Sequence, residues 1–417
     1  MKFISWFLMW FVYFPLIRIL SILLFWNRRI SDRMVFEKKN KFEWLAHSFK
    51  EVNEKADICF EFSSEGEYQQ VAPLIDDSLQ QGKKLELVFF SPSVEKAILK
   101  LAATYPAQIR YLRYPFLRIF PFIRRRSFSH WVTAKTLVLV RYDLFPEFLL
   151  WSLQKENNLK LIWISFKKER FLNQRPSWWK CQFLKNAKSI IYAGLPDYKQ
   201  GSDLGFSGKV FDFRLEQIQR RVERKDDKFK SLLPIYPDLK LFFDKADKKI
   251  IVGNAWPSDL FLLRDLPEEI LLVIVPHQLT EDVLNHFRQG LKVIGRDVFE
   301  INDQTHQLKS EKTILINKKG ILCELYADFN LAYVGGGFEG SIHSVLEPLV
   351  AGTQAIACGP AHHRSTEYDV AKSAGRISEI NTPEQFVLWI NNLEKKWERD
   401  RMEIQNYEQM RELVISC

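Results

Sequence analysis

The 417-residue chain has no cysteine pair spaced for a metal or a redox bridge, no low-complexity tract and no small-x-small cleavage signature behind its apolar N-terminus. Each absence excludes something. Cys59, Cys181, Cys323, Cys358 and Cys417 are scattered, which argues against a disulfide framework or a zinc site and reads as buried or incidental thiols in a reducing compartment. Without biased composition, and with 47% hydrophobic and 27% charged residues, the chain is globular rather than disordered. Without a cleavage site, the apolar start reads as a retained segment rather than a signal peptide.

What is present points to two domains, because 417 residues exceed what one hydrophobic core comfortably serves. The 33 Phe and 12 Trp imply cores or interfaces rich in rings. A formal charge of +9 and a pI near 9.1 imply an anionic partner: nucleic acid, phospholipid or a phosphorylated substrate. Residues 1–26 are apolar apart from a few positions including Lys2 and Arg18, and Asn27, Arg28, Arg29 and Arg33 follow. A spanning helix needs roughly 20 apolar residues. Arg18 interrupts this one, so the choices are a tilted span with a snorkelling arginine, an interfacial helix, or an apolar helix docked on the protein itself. For an anchor, the arginines mark the cytoplasmic side.

Short apolar runs then alternate with amphipathic segments. Residues 58–63, 85–90, 136–141, 159–165 and 189–193 read as strands, with helices at 71–79, 94–103, 146–155 and 178–185. The charged stretch 214–230 reads as a linker or exposed helix. A second alternation has strands at 249–253, 270–276, 292–294, 313–316, 331–334 and 354–358, and helices at 281–289, 319–327, 343–350 and 366–372. Strand–helix alternation in both halves implies parallel sheets that bind ligands at the carboxyl ends of their strands. Thr382-Pro383-Glu384-Gln385 opens a closing helix that runs toward Leu413. The expected divisions are an anchor at 1–33, a first Rossmann-like domain at 34–225, a second at 226–395 and a terminal helix at 396–417 that turns back toward the first.

Four segments carry chemistry. Tyr333-Val334-Gly335-Gly336-Gly337-Phe338-Glu339-Gly340-Ser341-Ile342-His343-Ser344-Val345-Leu346-Glu347-Pro348 runs from a strand through glycines into a helix, offering backbone N–H groups to a phosphate; a tight turn without a ligand is the alternative. Glu347 suits ribose hydroxyls, or simply the positive end of its helix. Cys358-Gly359-Pro360-Ala361-His362-His363-Arg364-Ser365-Thr366-Glu367 repeats the geometry, and its adjacent histidines have no third ligand at metal spacing. Phe62-Ser63-Ser64-Glu65-Gly66-Glu67-Tyr68 puts carboxylates at a strand end, where a general base or a plain acidic helix start belongs. In 110–131, Arg110, Arg113, Arg118, Arg124, Arg125 and Arg126 interleave with rings. That pattern suits a bilayer surface or single-stranded nucleic acid, and the anchor favours lipid, with a merely solvated basic face as the alternative.

In this order the motifs resemble the Kdo (3-deoxy-manno-octulosonic acid) transferases of lipopolysaccharide and lipid A synthesis over nearly the whole chain. The family's His-Ala-x-Ser-Val-Gly-Glu is similar to Glu61-Phe62-Ser63-Ser64-Glu65-Gly66-Glu67, keeping Gly-Glu and losing the His. Its Tyr-x-Pro-x-Asp-x-Pro stretch looks like 111–126. Its Glu-Thr-Glu-x-Trp-Pro-Asn looks like Arg141-Tyr142-Asp143-Leu144-Phe145-Pro146-Glu147, with Arg in place of the leading acid. In the second half Val275-Pro276-His277, Leu325-Tyr326-Ala327-Asp328, Gly340 through Glu347-Pro348, and Gly359-Pro360 through Glu367 follow the family's pattern. Asn254-Ala255-Trp256-Pro257-Ser258 replaces its Ser-Thr-His, and Ser344 its Asn.

The resemblance implies a GT-B glycosyltransferase: an α/β chain with two Rossmann-like domains facing a cleft and an N-terminal membrane-anchor helix, on the cytoplasmic face of an inner membrane. It implies inverting, metal-independent transfer of Kdo from CMP-Kdo to a lipid A precursor, with no cofactor and no nucleic acid partner. Glu67 is the implied catalytic base. His277, Gly335, Gly336, Gly337, Gly340, His343, Ser344, Glu347, Gly359, Pro360 and Glu367 are implied for the CMP-sugar donor. Ser64, Gly66, Asp143 and the six arginines are implied for the acceptor and membrane. A different nucleotide sugar, or an inactive membrane-bound paralogue serving as an interaction protein, are the alternatives that the replaced residues leave open.

Overall fold

The structure, a computed structural model, describes residues 7, 11, 12, 14–39, 47–115, 128–141, 144–166, 176–225, 227–302, 312–340, 342–362, 365–392, 404 and 406–416. It divides into two compact units, Met1–Arg214 with Asn406–Cys417, and Leu215–Gln405.

Unit 1 begins with α1 (Phe14–Leu23) and α2 (Arg28–Lys39). It continues through β1 (Ile58–Phe62), α3 (Glu65–Gln80), β2 (Leu85–Phe89), α4 (Pro92–Thr104), β3 (Ile109–Arg113), α5 (Phe128–Trp131) and β4 (Thr136–Val140). Then come α6 (Pro146–Ser152), β5 (Asn158–Ile164), α7 (Trp178–Asn186), β6 (Ala187–Tyr192), α8 (Leu195–Asp203) and β7 (Lys209–Val210). The seven strands form one parallel sheet in the order β3-β2-β1-β4-β5-β6-β7. A parallel sheet covered on both faces needs strands that are apolar throughout, and Leu137-Val138-Leu139-Val140 is buried at every position. From β1 the sheet grows through β2 to β3, then restarts on the other side of β1 with β4, so the strand order reverses between β1 and β4.

Two sequence expectations change here. The stretch assigned to a bilayer surface begins with an edge strand, β3, whose arginines are engaged within unit 1. Arg113 pairs with Glu95 at 3.1 Å and lies 3.7 Å over the Phe36 ring, while Arg110 lies 4.9 Å over Phe49 and donates to the Ile109 carbonyl at 3.0 Å. Periodicity missed β3 because its side chains are only partly buried and mixed in character. The apolar start forms α1, ten residues long, with Leu16, Ile19, Leu20, Ile22 and Leu23 exposed. Among the described residues no helix is long and apolar enough to cross a membrane. The following α2 is clamped to the sheet: Arg33 donates to the Phe90 carbonyl at 2.6 Å, to the Tyr114 carbonyl and to Glu37 at 2.8 Å.

Unit 2 opens with α9 (Phe213–Arg224), which spans the unit boundary, then α10 (Asp227–Leu232) and α11 (Tyr236–Asp244). The first two cover the charged stretch read as a linker or an exposed helix. Ile218, Val222 and Phe229 point instead into the unit's core, and Arg221 grips Glu324 through two hydrogen bonds of 2.9 and 3.0 Å. Then follow β8 (Lys249–Ala255), a 3-10 helix (Pro257–Leu263), β9 (Leu271–Pro276), α12 (Glu281–Val293), β10 (Val298–Ile301) and β11 (Thr313–Ile316). The unit continues with α13 (Leu322–Leu325), a 3-10 turn (Tyr326–Asp328), β12 (Leu331–Val334), α14 (Leu346–Ala351), β13 (Ala355–Cys358), α15 (Thr366–Ser373), β14 (Ile377–Glu379) and α16 (Pro383–Asn391). All seven strands are parallel in the order β10-β11-β9-β8-β12-β13-β14, which reverses between β8 and β12.

The expected strand at 292–294 is the last turn of α12, which buries Leu284, Phe287 and Leu291 on one face, leaves Val293 exposed and stops where Gly295 takes φ +77. The real strand is β10, a few residues on. The helix expected at 319–327 shrinks to α13 and the 3-10 turn, and the one expected at 343–350 starts at Leu346. The closing helix is present as α16 and, beyond residues outside the description, α17 (Tyr407–Ile415). Thr382 accepts from the Gln385 N–H at its start.

Although α17 follows unit 2 in the chain, it packs in unit 1 against α3. Tyr407 Oη donates to Asp77 at 2.7 Å, Lys83 Nζ to the Ile415 carbonyl at 2.7 Å, and buried Lys160 Nζ to the carbonyls of Val414, at 3.0 Å, and Ser416. The last carbonyls of a helix lack intrahelical partners, and cations favour that end. Replacing Lys160 by Met removes both bonds, each charge-assisted and worth about 1.5–3 kcal/mol. Lys160→Met is therefore expected to speed hydrogen exchange in 406–416 at least tenfold; unchanged exchange there contradicts the tether.

Candidate functional site

Where strand order reverses, adjacent loops diverge and leave room for a ligand at the carboxyl ends of the strands. In unit 2 that place lies beyond β8 and β12. At the end of β8 the register shifts between Gly253 and Ala255 as Asn254 takes φ +51. Gly335, just after β12, donates its N–H to the Gly253 carbonyl at 2.9 Å. A Cβ on Gly335 would come within 2.4 Å of the Asn254 carbonyl and 2.6 Å of Asp259 Oδ2. Asp259 locks this corner by accepting from the Trp256 N–H at 2.8 Å and Tyr333 Oη at 3.1 Å, and burial raises its carboxyl to about 6.

The turn after β12 also meets the turn after β13. A Cβ on Gly337 would stand 2.4 Å from the Gly359 Cα; Ala361 donates to the Gly337 carbonyl at 3.0 Å, and Ile342 to the Ala361 carbonyl at 3.3 Å. Backbone lies on backbone. The glycines at 335 and 337 are thus required by the protein's own packing, whatever else they do, a Cβ at Gly359 would be tight at 3.0 Å, and Gly340 (φ +128) has nothing within 4 Å of its Cβ position.

Three rings line up beside these turns. His277 follows β9 and donates its N–H to the Ala255 carbonyl at 2.9 Å. Its imidazole stacks on Trp256 at 4.9 Å and on His343 at 4.2 Å, and Trp256 Nε1–H donates to His343 Nε2 at 3.2 Å. Burial, then the neighbouring His277, pushes His343 down to about 4; burial, then Lys319, lowers His277. Both rings are neutral at pH 7. With Nε2 accepting from Trp256, the neutral His343 carries its proton on Nδ1 and offers a donor there.

At the first turn of α14, half-buried Glu347 has its carboxyl raised to about 7, chiefly by burial, with Arg221 opposing and Glu324 and Glu367 adding to the rise. No hydrogen bond reaches Glu347 among the described residues. Glu367 instead accepts from the Val345 N–H at 3.2 Å. Exposed Pro360, and Ser344 without a hydrogen bond among the described residues, border the same turns. Of the residues named from sequence for this unit, the structure brings His277, Gly335, Gly336, Gly337, Gly340, His343, Ser344, Glu347, Gly359, Pro360 and Glu367 to the carboxyl edge or its flanking turns. Sequence reasoning missed Trp256 and Asp259. Their signal was a strand followed by Trp-Pro-Ser-Asp, with Pro at the first helical position and an acid two residues on.

In unit 1, Glu67 lies in the first turn of α3, buried, its Oε2 accepting from the Ser63 N–H at 2.6 Å. It sits by the carboxyl end of β1, beside that sheet's own reversal. Ser64 is the N-cap of α3, and exposed Gly66 has nothing around its Cβ position. Glu147, at the end of the segment that departs from the family pattern, accepts from Tyr114 Oη and the N–H groups of Phe128 and Ser129; burial raises its carboxyl to about 7. The Leu325–Asp328 match is also structural: Asp328 accepts from Lys225 and Tyr236, each at 2.9 Å. Arg118, Arg124, Arg125, Arg126 and Asp143 lie outside the described residues.

No family model matches the chain. A bifunctional glycosyltransferase/methyltransferase of Fusobacterium nucleatum subsp. nucleatum is 24% identical over 398 residues, 90% of this chain and 56% of that protein. The chain thus spans just over half the length of this curated relative. Among solved structures, the UDP-GlcNAc 2-epimerase from Neisseria meningitidis bound to UDP-GlcNAc aligns with a TM-score of 0.54 and 13% identity, over 86% of this chain and 94% of that one. The C-terminal CMP-Kdo binding domain of WaaA from Acinetobacter baumannii aligns with a TM-score of 0.34 and 15% identity, over 45% of this chain and 95% of that one. The epimerase likeness defines the fold, an α/β chain with two parallel sheets of the GT-B kind.

Glu347 gives the site a measurable signature. Its folded pKa is raised, so its contribution to stability is complete below about 4.5 and is lost as pH rises through about 7. Glu347→Gln is expected to gain stability relative to the parent protein between pH 5 and pH 8, read from urea midpoints. A difference that is flat or falls over this range contradicts a half-buried, proton-holding Glu347.

Proposed function

We propose that the chain is a glycosyltransferase, with a nucleotide-sugar donor held by unit 2 and the acceptor's proton taken by a carboxylate of unit 1. The observation that carries this is the stack of Trp256, His277 and His343 at the strand-order reversal of unit 2, beside turns that lie too close for any Cβ. The name of the Fusobacterium relative supports the reaction class. In this reading His343 Nδ1–H and the Gly337 N–H meet the donor phosphate, while the Gly336 N–H is held by Asp259, and Glu347 accepts from ribose hydroxyls. The acceptor oxygen bonds to the anomeric carbon from the face opposite the nucleotide. The bond to the phosphate oxygen breaks with its electron pair, and Glu67 receives the hydroxyl proton, so the centre inverts.

On the motif resemblance, the donor is CMP-Kdo and the acceptor a lipid A precursor at the cytoplasmic face of an inner membrane. The exposed apolar face of α1, with Arg28 and Arg29 behind it, serves that surface as an interfacial helix. The scheme calls on no metal. A second reading keeps the scaffold and changes the nucleotide sugar. Trp256 favours it, because this bulky ring stands in the segment that replaces the family's Ser-Thr-His and contacts both histidines.

Detergent-solubilised protein incubated with CMP-Kdo and a lipid A precursor is expected to yield an acceptor heavier by one or more Kdo units. Glu67→Gln keeps an oxygen for the Ser63 N–H but loses the base, so transfer is expected to fall by about 10²–10⁴ while CMP binding is unchanged. Full turnover by that variant defeats the assignment of Glu67. Thermal stabilisation by a UDP-sugar and not by CMP-Kdo selects the second reading.

A further inference from the structure

The charged groups gathered at the carboxyl edge of unit 2 do not suit an anionic ligand by themselves. His277 and His343 are neutral, whereas Asp259, Glu347, Glu367 and exposed Glu339 are acids. Arg221, which acts on Glu347, is already forked onto Glu324. A phosphate entering here meets acids unless a cation also faces the edge.

The strand beside β9 supplies that cation. β11 pairs with β9 in parallel, with Leu315 opposite Ile274; His277 stands three residues beyond Ile274 and Lys319 four residues beyond Leu315. The two residues therefore leave neighbouring strands, about 4.8 Å apart, at nearly the same height. Lys319 lies in the bend after β11, where Gly320 at φ +83 turns the chain back toward α13. It is exposed, and it holds no hydrogen bond or ion pair among the described residues. Its charge nevertheless reaches the site: after burial, Lys319 is the second influence that lowers His277. Lysine carries a compact charge with three donors on a flexible stem. An exposed and unengaged lysine turns to an anion without giving up another partner.

We propose that Lys319 is a binding residue of this site and that its ammonium receives a phosphate of the nucleotide-sugar donor. The word donor rests on the transferase reading; the placing of a free cation beside His277 does not.

Calorimetric titration of the full chain with CMP and UDP, and with cytidine and uridine, tests this. The parent protein is expected to bind at least one nucleotide more tightly than its nucleoside. Lys319→Met is expected to weaken that nucleotide about tenfold, the scale of one charge-assisted hydrogen bond, and to leave the nucleoside unchanged. Lys319→Arg is expected to restore most of the loss. Lys312→Met removes an equal charge from the amino end of the same strand, where Lys312 donates to the Glu269 carbonyl at 3.3 Å. At that distance from the edge a screened charge is expected to change nucleotide affinity by less than about twofold. In the ligand-free chain, the His277 titration followed by NMR is expected to move up in Lys319→Met. Nucleotide affinity that survives Lys319→Met, or that Lys312→Met lowers as much, overturns the proposal and leaves the transferase reading standing, and so does an unmoved His277. A parent protein that binds neither nucleotide overturns the two together.

Discussion

The architecture of unit 2 depends on how closely three strand ends approach. The turns after β12 and β13 touch through Gly337 and Gly359, and the first also lies against the end of β8 through Gly335, at distances no Cβ permits. This closeness fixes the rest of the site. It places Asp259 where it bridges Trp256 and Tyr333, and it brings His343 back against Gly335, whose carbonyl accepts the His343 N–H at 3.3 Å. His343 then falls into the stack with His277 and Trp256.

The same crowding sets the electrostatics. Close packing removes water, and desolvation disfavours whichever form is charged. The histidines are driven neutral while Glu347 holds its proton up to about neutral pH.

Much of this was legible in the sequence. Apolar runs such as Leu137–Val140 announced central parallel strands, since burial on both faces leaves no alternation to read. Gly335-Gly336-Gly337 and Gly359-Pro360 announced the turns. What hid was whatever depends on partners distant in the chain. The helices α9 and α10 looked like a solvated linker because their charged residues outnumber Ile218, Val222 and Phe229, and nothing local reveals that Glu324 waits for Arg221. The strand-like Lys292-Val293-Ile294 closes a helix that ends at Val293, because Leu284 and Phe287 share a face with Leu291. Trp256 read as part of a departure from a family motif and Asp259 carried no signal of its own, and only the fold shows Asp259 bridging Trp256 and Tyr333. Glu67 was named for chemistry, and the fold adds a backbone contact at Ser63 that any substitution must respect.

The central claim is that the paired glycine turns of unit 2 hold a nucleotide. Hydrogen exchange followed by mass spectrometry, with and without saturating nucleotide sugar, tests it most directly. The account predicts slowed exchange concentrated in peptides covering 333–347 and 354–362. Slowed exchange confined to unit 1, or none for any cytidine or uridine nucleotide sugar, contradicts it.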